Sequence, residues 1–260
     1  MNQFIKNGVY ILTSINNKKH VIWIASTVLL IAVCVLCCAL YVSDYYRADL
    51  DAIEAFTASS SVSRTVLPDE TIVYGEADSE VGFIFYPGGK VEYTAYEPLM
   101  VELASRGVLC VLVKMPFNLA VLDMNAAEGI PEKYPDVDGW FIGGHSLGGS
   151  MAASYAAEHS EEFRGVVLLA SYSTADLTQS SLDVLSIFGS EDGVMNREKY
   201  DEYKKNLPSD LTEIEIAGGC HAYFGMYGEQ KGDKEPALSA EEQIIKATNY
   251  IAEFVFKEER

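Results

Sequence analysis

Trp140-Phe141-Ile142-Gly143-Gly144-His145-Ser146-Leu147-Gly148-Gly149-Ser150-Met151-Ala152-Ala153 is the stretch that decides the fold of this 260-residue chain. Four residues of strand character lead into Gly144-His145-Ser146-Leu147-Gly148. A small-residue stretch of helix character, Gly149 to Ala157, leads away from it. Gly-x-Ser-x-Gly between a strand and a helix is the signature of a nucleophile elbow, a sharp turn that holds its Ser in a strained backbone conformation. Gly144 and Gly148 suit such a turn, because a Cβ two residues to either side of the Ser would crowd it. The turn lifts the Ser146 hydroxyl clear of the sheet and leaves the Leu147 N–H free to bind an oxyanion.

Strand and helix patterns alternate on both sides of this stretch. Upstream, Ser61 to Leu67 and Thr71 to Tyr74 are short β-type runs around Pro68-Asp69-Glu70 and read as a hairpin. Val81 to Tyr86 and Val108 to Lys114 read as apolar strands. Between them Tyr93 to Arg106 reads as a helix with Tyr96, Leu99, Met100 and Leu103 on one face. A further helix is expected around Ala120 to Gly129. Downstream, the elbow helix ends near His159, and Gly165 to Ala170, Val184 to Phe188 and Leu211 to Ile216 read as strands. Gly218 to Pro236 is Gly-rich and charged and reads as loop. A final helix runs from about Ser239 to Lys257 behind a Ser239-x-x-Glu242 capping box. Buried apolar strands alternating with helices imply an α/β fold, a mostly parallel sheet covered on both faces. The leading hairpin and six strands in crossover units make eight. Only 13 residues separate Ala170 from Val184, too few for a large lid, so the site is expected to be open unless Met115 to Asn125 or the Tyr223 to Asp233 loop covers it.

An elbow Ser acts with a base and an acid. Of the four histidines, His20 precedes a long apolar run, His145 points away from the Ser if the turn forms, and His159 sits near the end of the elbow helix. His221 remains, in the Gly218-Gly219-Cys220-His221 loop after the last strand. The acid is expected in a loop at a strand C-terminus. Asp192, in Gly189-Ser190-Glu191-Asp192-Gly193, is the first choice, with Glu191 and Asp176 as alternates. It would accept a hydrogen bond from the His Nδ1–H and fix the tautomer. A second oxyanion donor, beside Leu147, is expected from an N–H of Gly88, Gly89 or Lys90 at the end of the Val81 strand. These residues describe acyl transfer to water.

Net charge is −19. Residues 1–43 hold Lys6, Lys18 and Lys19 and no acid, so the remainder has 16 basic against 38 acidic residues, a net −22. Such a surface repels phosphate backbones and anionic headgroups, which argues against a nucleic-acid partner. Val21 to Val42 carries no charge over 22 residues, enough to span a bilayer core of roughly 30 Å at about 1.5 Å per residue. Lys18 and Lys19 precede it and acids follow, which predicts a single-pass signal anchor with the C-terminal domain outside the cytoplasm. A cleaved signal peptide fits less well: the run is long and no clean small-x-small cleavage site follows. The expected organisation is a cytoplasmic N-terminus at 1–20, an anchor at 21–42, a juxtamembrane helix or stalk at 43–60 and a catalytic domain at 61–260. Three of the five cysteines lie in the anchor, and Cys110, in an apolar strand pattern, reads as a small buried hydrophobe. No His/Cys cluster has metal-ligand spacing, and neither a metal nor a cofactor is expected.

The chain resembles the membrane-anchored bacterial α/β-hydrolases of the dienelactone-hydrolase-like type over about residues 41–256. The resemblance is carried by Phe85-Tyr86-Pro87-Gly88-Gly89-Lys90-Val91-Glu92, by Met115-Pro116-Phe117-Asn118-Leu119-Ala120, by Gly143 to Gly149, by Gly189 to Gly193, and by His221 to Asp233. It implies the α/β-hydrolase fold and a Ser146, Asp192, His221 triad. It names a hydrolase and no narrower substrate. The resulting expectation is a serine esterase acting on a small acyl substrate at the cell membrane. Acyltransferase or lyase chemistry on the same triad, or a non-catalytic binding domain of the same fold, are the alternatives.

Overall fold

The computed structural model describes the backbone of residues 2–257 and the side chains of residues 23–257. The chain divides into two compact units, Met1–Asp44 and Tyr45–Arg260. The first is a single helix, α1 (Asn2–Ser43). Its segment Trp23–Ser43, with mean hydropathy 2.6, is long and apolar enough to cross a membrane, and none of it is buried. A helix apolar all round suits hydrocarbon better than water. No break separates this segment from the residues before it, where a distinct N-terminal piece is expected from the sequence. The side chains of Lys18, Lys19 and His20 lie outside the described residues.

The second unit is built on eight strands: β1 (Arg64–Val66), β2 (Ile72–Tyr74), β3 (Val81–Tyr86), β4 (Val108–Leu112), β5 (Gly139–His145), β6 (Gly165–Leu169), β7 (Asp183–Gly189) and β8 (Thr212–Ile216). They form one sheet in the order β1-β2-β4-β3-β5-β6-β7-β8. The β1-β2 and β2-β4 pairs are antiparallel and every other pair is parallel. All eight are the strands read from the sequence, and the fold is that of an α/β hydrolase.

Among the described residues five α-helices accompany the sheet: α2 (Leu50–Thr57), α3 (Glu97–Ala104), α4 (Leu147–Glu158), α5 (Arg197–Tyr203) and α6 (Ala240–Val255). Alternate strand residues bury their side chains on opposite faces of the sheet. On one face Phe83, Phe85 and Cys110 pack with Leu99 and Met100 of α3 and Ile244 and Ile251 of α6. On the other Ile84, Val111 and Ile142 pack with Ala152, Ala153 and Tyr155 of α4. Each large apolar side chain buried this way contributes about 1.5–3 kcal/mol relative to exposure.

Three differences from the sequence reading have local causes. Residues 43–60, read as a juxtamembrane helix or stalk, do hold a helix, α2, but it is packed into the domain: from Tyr45 on the chain belongs to the second unit, Tyr46 pairs with Val91, the Asp49 N–H donates to the Met226 carbonyl at 2.9 Å, and Ile53 of α2 is buried. The helix expected at Ala120 to Gly129 is a chain of tight turns. The Tyr86 hydroxyl reaches into it, accepting from the Ala127 N–H and donating to the Met124 carbonyl, both at 2.8 Å. A buried tertiary partner thus takes the backbone groups a helix would use. Helix α5 has no expectation in the sequence. It is short and charged, and is opened by Asn196, whose side chain accepts from the Lys199 N–H.

Candidate active site

Ser146 stands between β5 and α4 with φ 52° and ψ −120°. A non-glycine residue there costs on the order of 1–3 kcal/mol and persists only where its surroundings over-determine it. The Ser146 N–H donates to the Leu169 carbonyl at 2.9 Å, and its own carbonyl accepts from Ser171 Oγ at 2.7 Å and from the Ser150 N–H at 3.2 Å. Gly144 and Gly148 flank the turn, and a Cβ on either would strike the Tyr86 carbonyl. The elbow read from the sequence is formed, and the reason for both glycines is steric.

His221 and Asp192 form a buried pair, His221 Nδ1 to Asp192 Oδ2 at 2.9 Å, with His221 only 1% exposed. The other carboxylate oxygen of Asp192 accepts from the Val194 N–H at 2.9 Å and the Met195 N–H at 2.8 Å. Burial works to raise the Asp192 pKa, but the bond and charge of His221 and the two amides outweigh it and hold the carboxyl below its usual value. An ionised Asp192 fixes the proton on Nδ1 and leaves Nε2 as the basic nitrogen. Nε2 is buried and has no partner among the described residues. Nor does Ser146 Oγ donate to it: the structure joins Asp192 to His221 but closes no Ser146–His221 hydrogen bond. Catalytic hydrogen bonds in unliganded sites commonly tighten only when substrate binds. The alternate acids lie elsewhere: Glu191 accepts from Ser190 Oγ, and Asp176 is exposed and bonded to Thr178.

The oxyanion candidates separate cleanly. The Gly88 N–H is committed to Tyr96 Oη at 3.1 Å, and the Lys90 N–H to the Asn118 carbonyl at 2.7 Å. The amides of Gly89 and Leu147 have no partner among the described residues. A Cβ on Gly89 would lie 2.9 Å from the Leu147 side chain, so the two residues are in direct contact. Leu147 is the first residue of α4, where the helix leaves its N–H groups unsatisfied and its dipole favours negative charge.

His145 does not face the Ser. It is fully buried, its Nδ1 lies 2.8 Å from Tyr96 Oη, and its ring centre is 4.5 Å from that of His221. Tyr96 Oη accepts from the Gly88 N–H and is placed to donate to His145 Nδ1. Burial first, and the His221 ring second, push the His145 pKa well below its usual value, so the ring is neutral. Beside Ser146 opens a cleft of about 260 Å³ lined by Leu147, Ala170, Tyr172, Val194 and Met195, with Ser150, Ser171 and Asn196 as its polar members. No group of three His, Cys, Asp or Glu placed to hold a metal occurs among the described residues.

Residues 82–245 match the model of the alpha/beta hydrolase family, more than half of the chain. The chain belongs to that family. No curated protein matches it. Among solved structures this alpha/beta hydrolase is similar to a dienelactone hydrolase from Anabaena variabilis, with TM-score 0.57 and 12% identity over 77% of this chain and 100% of the other. It is similar to carboxyl esterase 2 from the mycorrhizal fungus Tuber melanosporum, with TM-score 0.54 and 13% identity over 76% and 87% of the two chains. It is also similar to a predicted CIB-like hydrolase from Thermoplasma acidophilum, with TM-score 0.52 and 14% identity over 75% and 99%. At these identities the likeness is one of fold. Two residues of the alpha/beta hydrolase's site escaped the sequence reading. Tyr96 reads there as one more apolar position on a helix face, and Ser171, which clamps the elbow, sits in a loop with no pattern around it.

Proposed function

We propose that this chain is a serine hydrolase that cleaves a carboxylic ester or related acyl substrate through an acyl-enzyme on Ser146. His221 Nε2 takes the Ser146 hydroxyl proton as Oγ attacks the carbonyl. Asp192 holds the resulting imidazolium, and the Leu147 and Gly89 N–H groups receive the oxyanion. The imidazolium returns its proton to the leaving alcohol. Water, deprotonated by the same nitrogen, then releases the acid and regenerates Ser146. The observation that carries this reading is the buried Asp192–His221 pair, whose unpartnered Nε2 belongs to a ring packed 4.5 Å from that of His145, the residue that leads into the strained Ser146.

The cleft supports a small acyl group. Its apolar members suit a short alkyl chain, and the connection from β6 to β7 holds no helix that could serve as a lid. Trp23–Ser43 supports tethering by one membrane pass. Lys18 and Lys19 before it and the acids after it support a catalytic domain on the extracytoplasmic face.

Hydrolysis of p-nitrophenyl acetate and butyrate by the wild type beside Ser146→Ala tests this. A loss of at least about 10³-fold in kcat is expected for the variant. Equal turnover by both proteins would overturn the assignment.

A further inference from the structure

Asp233 belongs to none of the roles above, yet its carboxylate joins the loops that carry the acid and the base. Oδ1 accepts from the His221 N–H at 3.0 Å and the Gly193 N–H at 3.1 Å, and Oδ2 accepts from the Ala222 N–H at 2.8 Å. Gly193 follows Asp192 at the end of β7, whereas His221 and Ala222 follow β8. The segment bearing Asp233 is fastened to the acid loop a second time by the Lys234 N–H, which donates to the Glu191 carbonyl at 3.2 Å. A Cβ on Gly193 would strike the Gly232 carbonyl, so the strap lies flat on that loop.

We propose that Asp233 is a positioning residue, a carboxylate staple that sets the Asp192–His221 distance. The donors it holds are the amide of His221 itself and amides one residue from Asp192 and from His221. A shift of either loop therefore moves Oδ2 or Nδ1 directly. A misplacement of about 1 Å at a reacting group costs on the order of 10²-fold in rate. Bonds from charged acceptors are roughly twice as strong as neutral ones, which suits one carboxylate to hold three amides. The sequence gives no sign of this: a carboxylate that binds distant backbone amides leaves no spacing pattern.

The inference rests on the acid–base reading of Asp192 and His221. Its test uses the full chain and p-nitrophenyl acetate, comparing kcat and KM of wild type, Ser146→Ala, Asp233→Asn and Asp233→Glu. Asn keeps an oxygen for the His221 and Gly193 amides, but turns an NH2 toward Ala222. For Asp233→Asn the expected result is a 10- to 100-fold fall in kcat with a KM within about twofold of wild type. Asp233→Glu, which keeps a carboxylate acceptor for the three amides, is expected to retain more of kcat than Asp233→Asn. Wild-type kcat in a folded Asp233→Asn would overturn the proposal. Failure of both variants to fold would also overturn it, in favour of a purely structural role. Absence of Ser146-dependent turnover in the wild type is a separate result. It would overturn the underlying functional reading and the positioning role with it.

Discussion

At the scale of the residue, the site is a set of backbone conformations that only certain side chains permit. Ser146 is held at positive φ by bonds to its own peptide groups and by the missing Cβ atoms of Gly144 and Gly148. Gly148→Ala would push a methyl into the Tyr86 and Pro87 carbonyls. The Tyr86 carbonyl cannot retreat, because Tyr86 pairs with Gly144 of β5. We expect this variant to lose more than about 4 kcal/mol, read as a collapse of the urea midpoint. His145 gives a second prediction, with its sign set by burial. The native ring stays neutral far below its ordinary pKa of 6.5, whereas the unfolded ring takes up a proton below that pH. Stability contributed by this group is present above about pH 6.5 and is lost as pH falls, by up to about 1.4 kcal/mol per pH unit. Urea midpoints at pH 7 and pH 5 should therefore differ more for wild type than for His145→Gln. An identical pH slope in both would contradict the buried neutral ring. The elbow was legible in the sequence because strain demands glycine at fixed spacing. Which of Gly88, Gly89 and Lys90 keeps a free amide was not legible, since that depends on Tyr96 and Asn118 arriving from elsewhere in the chain.

At the scale of the element, the strands were readable throughout because a parallel sheet covered on both faces writes its burial as continuous apolar runs. The turns from Ala120 to Gly129 were not, because the Tyr86 hydroxyl that rearranges them lies some forty residues away in sequence. Helix α6 shows the opposite case, a local signal sufficient by itself. Ser239 Oγ accepts from the Glu242 N–H at 3.2 Å, and Glu242 Oε2 accepts from the Ser239 N–H at 2.8 Å. Ser239→Ala should cost about 1 kcal/mol of unfolding free energy with an unchanged denaturant slope and no effect on kcat. This helix packs against the same face as α3, and its Gln243 holds the residue before His221, accepting from the Cys220 N–H and donating to the Cys220 carbonyl, both at 2.8 Å. A change in kcat larger than about twofold for Ser239→Ala would show that the cap bears on the site through that contact.

At the scale of the whole molecule, an acidic domain of net charge −22 follows a helix with no charged residue from Trp23 to Ser43. Its charge disfavours anionic surfaces, so the proposed membrane tethering would rest on the helix alone. The full chain should stay in the membrane fraction through 1 M salt and alkaline carbonate. Removal of residues 1–44 should release an active soluble domain, since the contact units divide there. Release of the full chain by salt would contradict an apolar anchor.

The claim on which all of this turns is that Ser146 is the nucleophile of an acyl-enzyme. Reaction of the folded full chain with a fluorophosphonate, followed by intact and peptide mass spectrometry, tests it most directly. The predicted result is one adduct per chain, mapped to Ser146, absent from Ser146→Ala and strongly slowed in His221→Ala. An adduct on another residue, or no adduct on a folded protein, would contradict it.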